Sequence, residues 1–168
     1  MSYLIRLIVL TLGSLIANIV IAASLSSEAQ ERGISATCSS YLGQLEESYD
    51  LNGLNITFAH PSDPSLYPSL HLSTKKYNNG SSVFSATLSP DGEYCYLSTV
   101  VVTSVNSESC NDITMLKIAE DSTLKTTVYA EGDYSIITPT DNSFQIMLIS
   151  NGEQSCTMTE TRMIWPGR

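Results

Sequence analysis

Hydrophobic positions along the chain follow three patterns. The first is an apolar run from Leu7 to Ala23, interrupted by Thr11, Gly13, Ser14 and Asn18, preceded by Arg6 and followed by Ser24. A basic start, a short apolar stretch and small residues at its end predict a secretory signal peptide over residues 1–23, cut beside Ala22 or Ala23. The competing reading is an uncleaved anchor, because the run is close to the ~20 apolar residues that span a bilayer. Residues 24–168 then form a single exported domain.

The second pattern is helical. Cys38, Tyr41, Leu42, Leu45 and Tyr49 recur at helical spacing over 35–49, with Glu46 and Glu47 on the other side and Asn52-Gly53 as the stop. Asn111 or Asp112 caps a second predicted helix carrying Ile113, Met115, Leu116, Ile118 and Ala119.

The third pattern is alternation. It predicts strands over 54–59, 83–88, 94–105, 126–130, 134–137, 144–149 and 154–165, with turns at Pro90-Asp91-Gly92 and Asn151-Gly152. The strand from Tyr94 carries Leu97, Val101 and Val105 on one face and Tyr96, Val100 and Val102 on the other, so it belongs at the centre of the sheet. A two-residue turn at Asn151-Gly152 would set Leu148 against Ser155 and Ile146 against Thr157. Either that sheet face is half exposed or the turn is longer. No internal repeat is detectable. The predicted fold is α+β: a mainly antiparallel sheet with two short helices packed on it, stapled by two disulfides.

Four cysteines, Cys38, Cys95, Cys110 and Cys156, stand far apart with no CxxC pair. Zinc and redox centres use close pairs, whereas wide spacing in an exported chain indicates bridges. An unbroken strand from Tyr94 to Val105 carries the chain roughly 33 Å away from Cys95 at ~3.3 Å per residue. Five further residues return at most about 18 Å, and bridged Cα atoms lie within about 7 Å. That excludes Cys95–Cys110. Cys38–Cys95 with Cys110–Cys156 is favoured; the remaining pairing stays open.

Composition narrows the function. A 42% hydrophobic content excludes a disordered chain, and 26 Ser and 16 Thr against 15% charged residues make the surface mainly hydroxyl. With 8 Lys+Arg and 17 Asp+Glu, the net charge of −9 argues against nucleic acid, whose phosphates need cations. Catalytic signals are poor. Ser73-x-x-Lys76 and Ser122-x-x-Lys125 match a serine–lysine spacing, but a chain this rich in Ser produces such matches by chance, and neither begins a convincing helix. The acids Asp112, Glu120, Asp121, Glu131 and Asp133 lack the spacing of a calcium loop and read as a solvated face. The row Thr157, Thr159 and Thr161 reads as the wet face of a strand rather than an ice-binding surface. No metal or cofactor is expected.

Residues 59–82 hold three of the six prolines, both histidines (His60 and His71), Tyr67 and Tyr77. As a long loop this segment would be a candidate contact surface, with Tyr67, Tyr77, His60 and His71 as binding residues. The expected function is that of an exported, periplasmic or secreted, non-enzymatic binding protein. Its partner would be a basic protein, as for an inhibitor or immunity protein acting on a cell-wall-directed enzyme. A small hydrolase without a local signature and a surface or structural module are the alternatives. The latter would use Asn55-Ile56-Thr57 and Asn79-Gly80-Ser81 as glycosylation sequons.

Overall fold

A computed structural model describes residues 24–165; the predicted signal peptide lies outside the described residues. Three helices, α1 (Leu25–Glu31), α2 (Ala36–Tyr49) and α3 (Cys110–Glu120), accompany eight strands. These are β1 (Asn55–Phe58), β2 (Ser69–Tyr77), β3 (Gly80–Asp91), β4 (Tyr94–Asn106), β5 (Lys125–Tyr129), β6 (Tyr134–Thr138), β7 (Phe144–Ser150) and β8 (Ser155–Ile164). All strand pairs are antiparallel, in the order β1-β2-β3-β4-β8-β7-β6-β5.

The helices are started by serines. Ser24, Ser35 and Ser109 each accept a backbone N–H from the first turn, and around Ser109 the Asp112 carboxylate accepts back from its N–H in a capping box. Ser109 therefore takes the capping role that the sequence had given to Asn111 or Asp112. The third helix, α1, has no counterpart among the sequence-predicted elements. It is held to α2 by Glu46, whose carboxylate accepts the backbone N–H groups of Leu25 and Ser26 and the Ser26 hydroxyl.

The favoured disulfides form: Cys38 to Cys95 and Cys110 to Cys156, with Cα separations of 5.3 and 5.0 Å. Each ties the first turn of a helix to the second residue of the last strand of a four-stranded meander. The chain thus runs twice through the same plan, a helix followed by four strands. The two meanders join where β4 pairs with β8 over ten residues, from Leu97↔Ile164 to Asn106↔Ser155. The sequence shows no repeat because the likeness lies in topology; in corresponding places the residues differ.

Each half has its own core. Leu25, Ala29, Leu42, Phe84, Leu88 and Leu97 pack around Cys38–Cys95; Ile113, Leu124, Ile137, Ile146 and Leu148 pack around Cys110–Cys156. Both cores lie on one side of the sheet. Period-two alternation places Cys95, Leu97 and Thr99 on that side of β4, while Tyr96, Ser98, Val100 and Val102 face the other. The Asn151-Gly152 turn is longer than two residues, the last pair being Ser150↔Cys156. This register sets Leu148 against Met158 on the helix side, which removes the mismatch at Leu148 that a two-residue turn would create, while Ile146 lies opposite Glu160.

Half of segment 59–82 is sheet. Only residues 59–68 form a loop; Ser69–Tyr77 is β2, and β3 already begins at Gly80. The reason lies in β2, whose buried positions are Ser69, His71 and Ser73 while Leu70 and Leu72 are only half-buried on the opposite side. Its pattern is inverted relative to an ordinary amphipathic strand. Two fully buried residues, Thr57 on β1 and Thr99 on β4, continue the same polar row through Ala86.

Candidate binding surface

The helices leave one whole face of the sheet uncovered. Strand pairing builds this face in rows that cross both halves. One row runs Thr74, Val83, Val102, Thr159, Met147 and Ile136; the next runs Lys76, Ser81, Ser104, Thr157, Ile149 and Tyr134. Phe58, Ile56 and Met163 lie on the same face, and Trp165 meets the Tyr96 ring edge-on with centroids 5.9 Å apart. Large apolar side chains on this face are exposed: Val83, Met147, Ile149, Tyr134 and Met163 by 42 to 54%. Thr157, Thr159 and Thr161 are on β8 in the middle of this face.

Charge is nearly absent from the face and concentrated around it. Within the strands only Lys76, Lys125 and Asp91 are charged on that side; Glu160 and Arg162 pair with each other on the helix side at 2.8 Å. At one end of the strands the loops carry Asp63, Glu93 and Asp141, and at the other Glu108, Glu131, Asp133 and Glu153, with no Lys or Arg in any of these loops. Asp141 accepts the backbone N–H of Ser143, and Asp121, which opens the loop before β5, accepts the N–H and hydroxyl of Thr123. These hydrogen bonds hold both carboxyls below their ordinary range. The result is an apolar and hydroxyl field with acidic ends.

The sequence-predicted site residues are split up. His60 stacks against Tyr67 in the 59–68 loop, centroids 4.4 Å apart, and accepts the Asp63 backbone N–H at Nδ1. Tyr77 ends β2, with its hydroxyl 3.3 Å from that of Ser82 and the Lys75 ammonium 5.5 Å from its ring centroid. His71 is fully buried on the helix side, its Nδ1 3.1 Å from the Thr57 hydroxyl and its Nε2 2.8 Å from that of Ser69. Burial lowers its pKa to about 4, so the ring is neutral at neutral pH. Both nitrogens are occupied and solvent does not reach them. This arrangement satisfies a buried polar row and leaves nothing to act on a substrate.

The remaining chemical candidates fare similarly. Ser73 is buried on the helix side of β2 whereas Lys76, three residues on, points to the open face, so that serine–lysine pair is parted by the sheet. Ser122 and Lys125 flank the entry to β5 without a helix to bring them together. Among the described residues no group of three or more His, Cys, Asp or Glu is placed to hold a metal, no cysteine is free, and no helix is long and apolar enough to cross a membrane. Of the two sequons, Asn79 lies in the exposed β2–β3 turn while Asn55 starts β1 with its side-chain oxygen buried. Comparison with protein-family models, with curated proteins and with solved structures finds no match to this chain.

The open face carried no local sequence signal. Its apolar residues alternate with Ser and Thr, as on any wet strand face, and only the pairing of β4 with β8 unites them. Two closed disulfides are the arrangement of a domain that folds in an oxidising environment.

Proposed function

We propose that this protein is an exported, non-enzymatic binding protein, periplasmic or secreted, that engages a basic protein partner through the open face of its sheet. The single observation that carries the reading is an eight-stranded face left bare of helices, rich in exposed Val, Ile, Met, Phe, Tyr and Trp, nearly free of charge and bounded at both strand ends by carboxylates. Exposed apolar surface of this extent is characteristic of interaction sites. Interface centres are depleted in charge and enriched in aromatics and Met, and the surrounding charged rim steers the partner. An enzyme of the bacterial cell wall is a partner class with suitable charge, and neutralising it is the activity proposed.

The test is capture of basic proteins from a periplasmic extract on the immobilised domain, followed by titration of the captured species against variants. Val102→Lys and Met147→Lys place cations in the middle of the face and should weaken binding at least about tenfold. Both residues are exposed, so melting temperatures should hardly change. Wild-type affinity in both variants would remove the face as the binding surface, and a loss confined to Tyr67→Ala and Tyr77→Ala would return it to the loop and hairpin.

A further inference from the structure

The two halves of the sheet are covered unequally. Counted from the bridged cysteine of each helix, Gly43 and Glu46 of α2 stand where Met115 and Ile118 stand in α3. In the first half those two positions receive α1: Gly43 lies against Ser26, and Glu46 binds the N–H groups that open α1. In the second half no described residue takes that place. Met115 is 64% exposed and Ile118 37%, with Leu116 beside them, and on the same side of the sheet Val128 of β5 is 60% exposed. Only Cys110 and Ile113 of α3 are buried.

We propose that this outer face of α3 is a second docking site, distinct from the open sheet face, and that it takes a basic amphipathic helix of a protein partner in the position that α1 occupies on α2. The kind of occupant follows from the first half, where α1 contributes one short stripe, Leu25 and Ala29, four residues apart and fully buried. Its charge follows from the flanks. Glu108 and Asp112 stand at one end of α3 and Glu120 and Asp121 at the other, while Lys117 is engaged by Glu120 at 3.4 Å. A helix with Lys or Arg beside its apolar stripe complements these carboxylates. A second copy of this chain would oppose them with its own and with a net charge of −9.

A synthetic peptide of about 15 residues serves as the probe, long enough to form a helix, with Leu and Ala on one helical stripe and Lys elsewhere. The controls are a scrambled peptide of the same composition and a version with Glu for Lys. Binding to the whole exported domain is followed by fluorescence anisotropy and by amide chemical shifts. The amphipathic Lys peptide should shift amides of residues 111–120 and Val128, and Met115→Ser with Ile118→Ser should weaken it about tenfold. The melting temperature should stay unchanged, because both side chains are exposed. Equal binding of the scrambled or Glu peptide overturns the proposal, as do shifts confined to the open face. Concentration-dependent dimerisation that Ile118→Ser abolishes would assign the site to a second copy instead.

Discussion

Mild acid, above the range where carboxylates take up protons, should weaken this protein through one side chain. His71 is sealed under the helices with both ring nitrogens on hydroxyls, and its pKa falls from 6.5 to about 4 on folding. The unfolded chain, with His71 in water, binds a proton near its ordinary pKa. Between these values the unfolded state holds more protons, so stability falls as pH drops below about 6.5 and the effect saturates below about 4. The full difference corresponds to about 3 kcal/mol, of which about 2 kcal/mol is already lost at about pH 5. Against the ~5–15 kcal/mol of a typical domain this is a measurable share. Urea unfolding at several pH values from about 7.5 to about 5, with disulfides intact, measures it. The wild type should lose about 2 kcal/mol over that range. His71→Gln, whatever its own cost, should remove most of the slope, since His60 is retained in both proteins and cancels in the comparison. Parallel slopes in the two proteins would refute the assignment.

Three further outcomes are expected. Replacing Cys110 and Cys156 by Ala opens a loop closed at a separation of 46 residues, and in the chain-entropy model costs about 4 kcal/mol; because α3 buries only Cys110 and Ile113, its amides should lose exchange protection before those of α2. Gly80→Ala would place a Cβ 2.0 Å from the Ser104 carbonyl oxygen across the β3–β4 ladder, so the midpoint of chemical unfolding should fall by the equivalent of about 1–3 kcal/mol. Tyr67→Ala, in contrast, removes only an exposed ring stacked on His60, and thermal unfolding should register no more than about 0.5 kcal/mol.

Much of the architecture was legible in the sequence because its pattern is physically ordinary. The α2 stripe of Cys38, Leu42 and Leu45 is buried as its spacing requires, and the two-sided apolar strand from Tyr94 is indeed central. The reach of an extended chain excluded Cys95–Cys110 but did not choose between the two remaining pairings, of which the favoured one forms. What was hidden is where chemistry inverts the pattern. In β2 the buried side is Ser69, His71 and Ser73, each polar, and the prolines upstream extended the apparent loop across it. Seven-residue α1 buries only Leu25 and Ala29, too short a stripe to stand out beside the apolar run before it. Segment 59–82 consequently read as one long loop. The open face is a property of strand order: Val102 and Met147 share a row because β8 lies between their strands, and no local window contains that fact.

Strand lengths carry a separate consequence. The inner strands β3, β4 and β8 run 12, 13 and 10 residues, but the sheet tapers to 4 residues at β1 and 5 at β5. A sheet with one bare apolar face and two long free margins would invite other chains to extend it by backbone hydrogen bonding. Here each margin offers little more than one turn's worth of unpaired amides, and the β5 margin begins with Lys125. Many copies of such a molecule can keep a wide sticky face without extending one another's sheets, because growth in the plane of the sheet has almost nothing to start from.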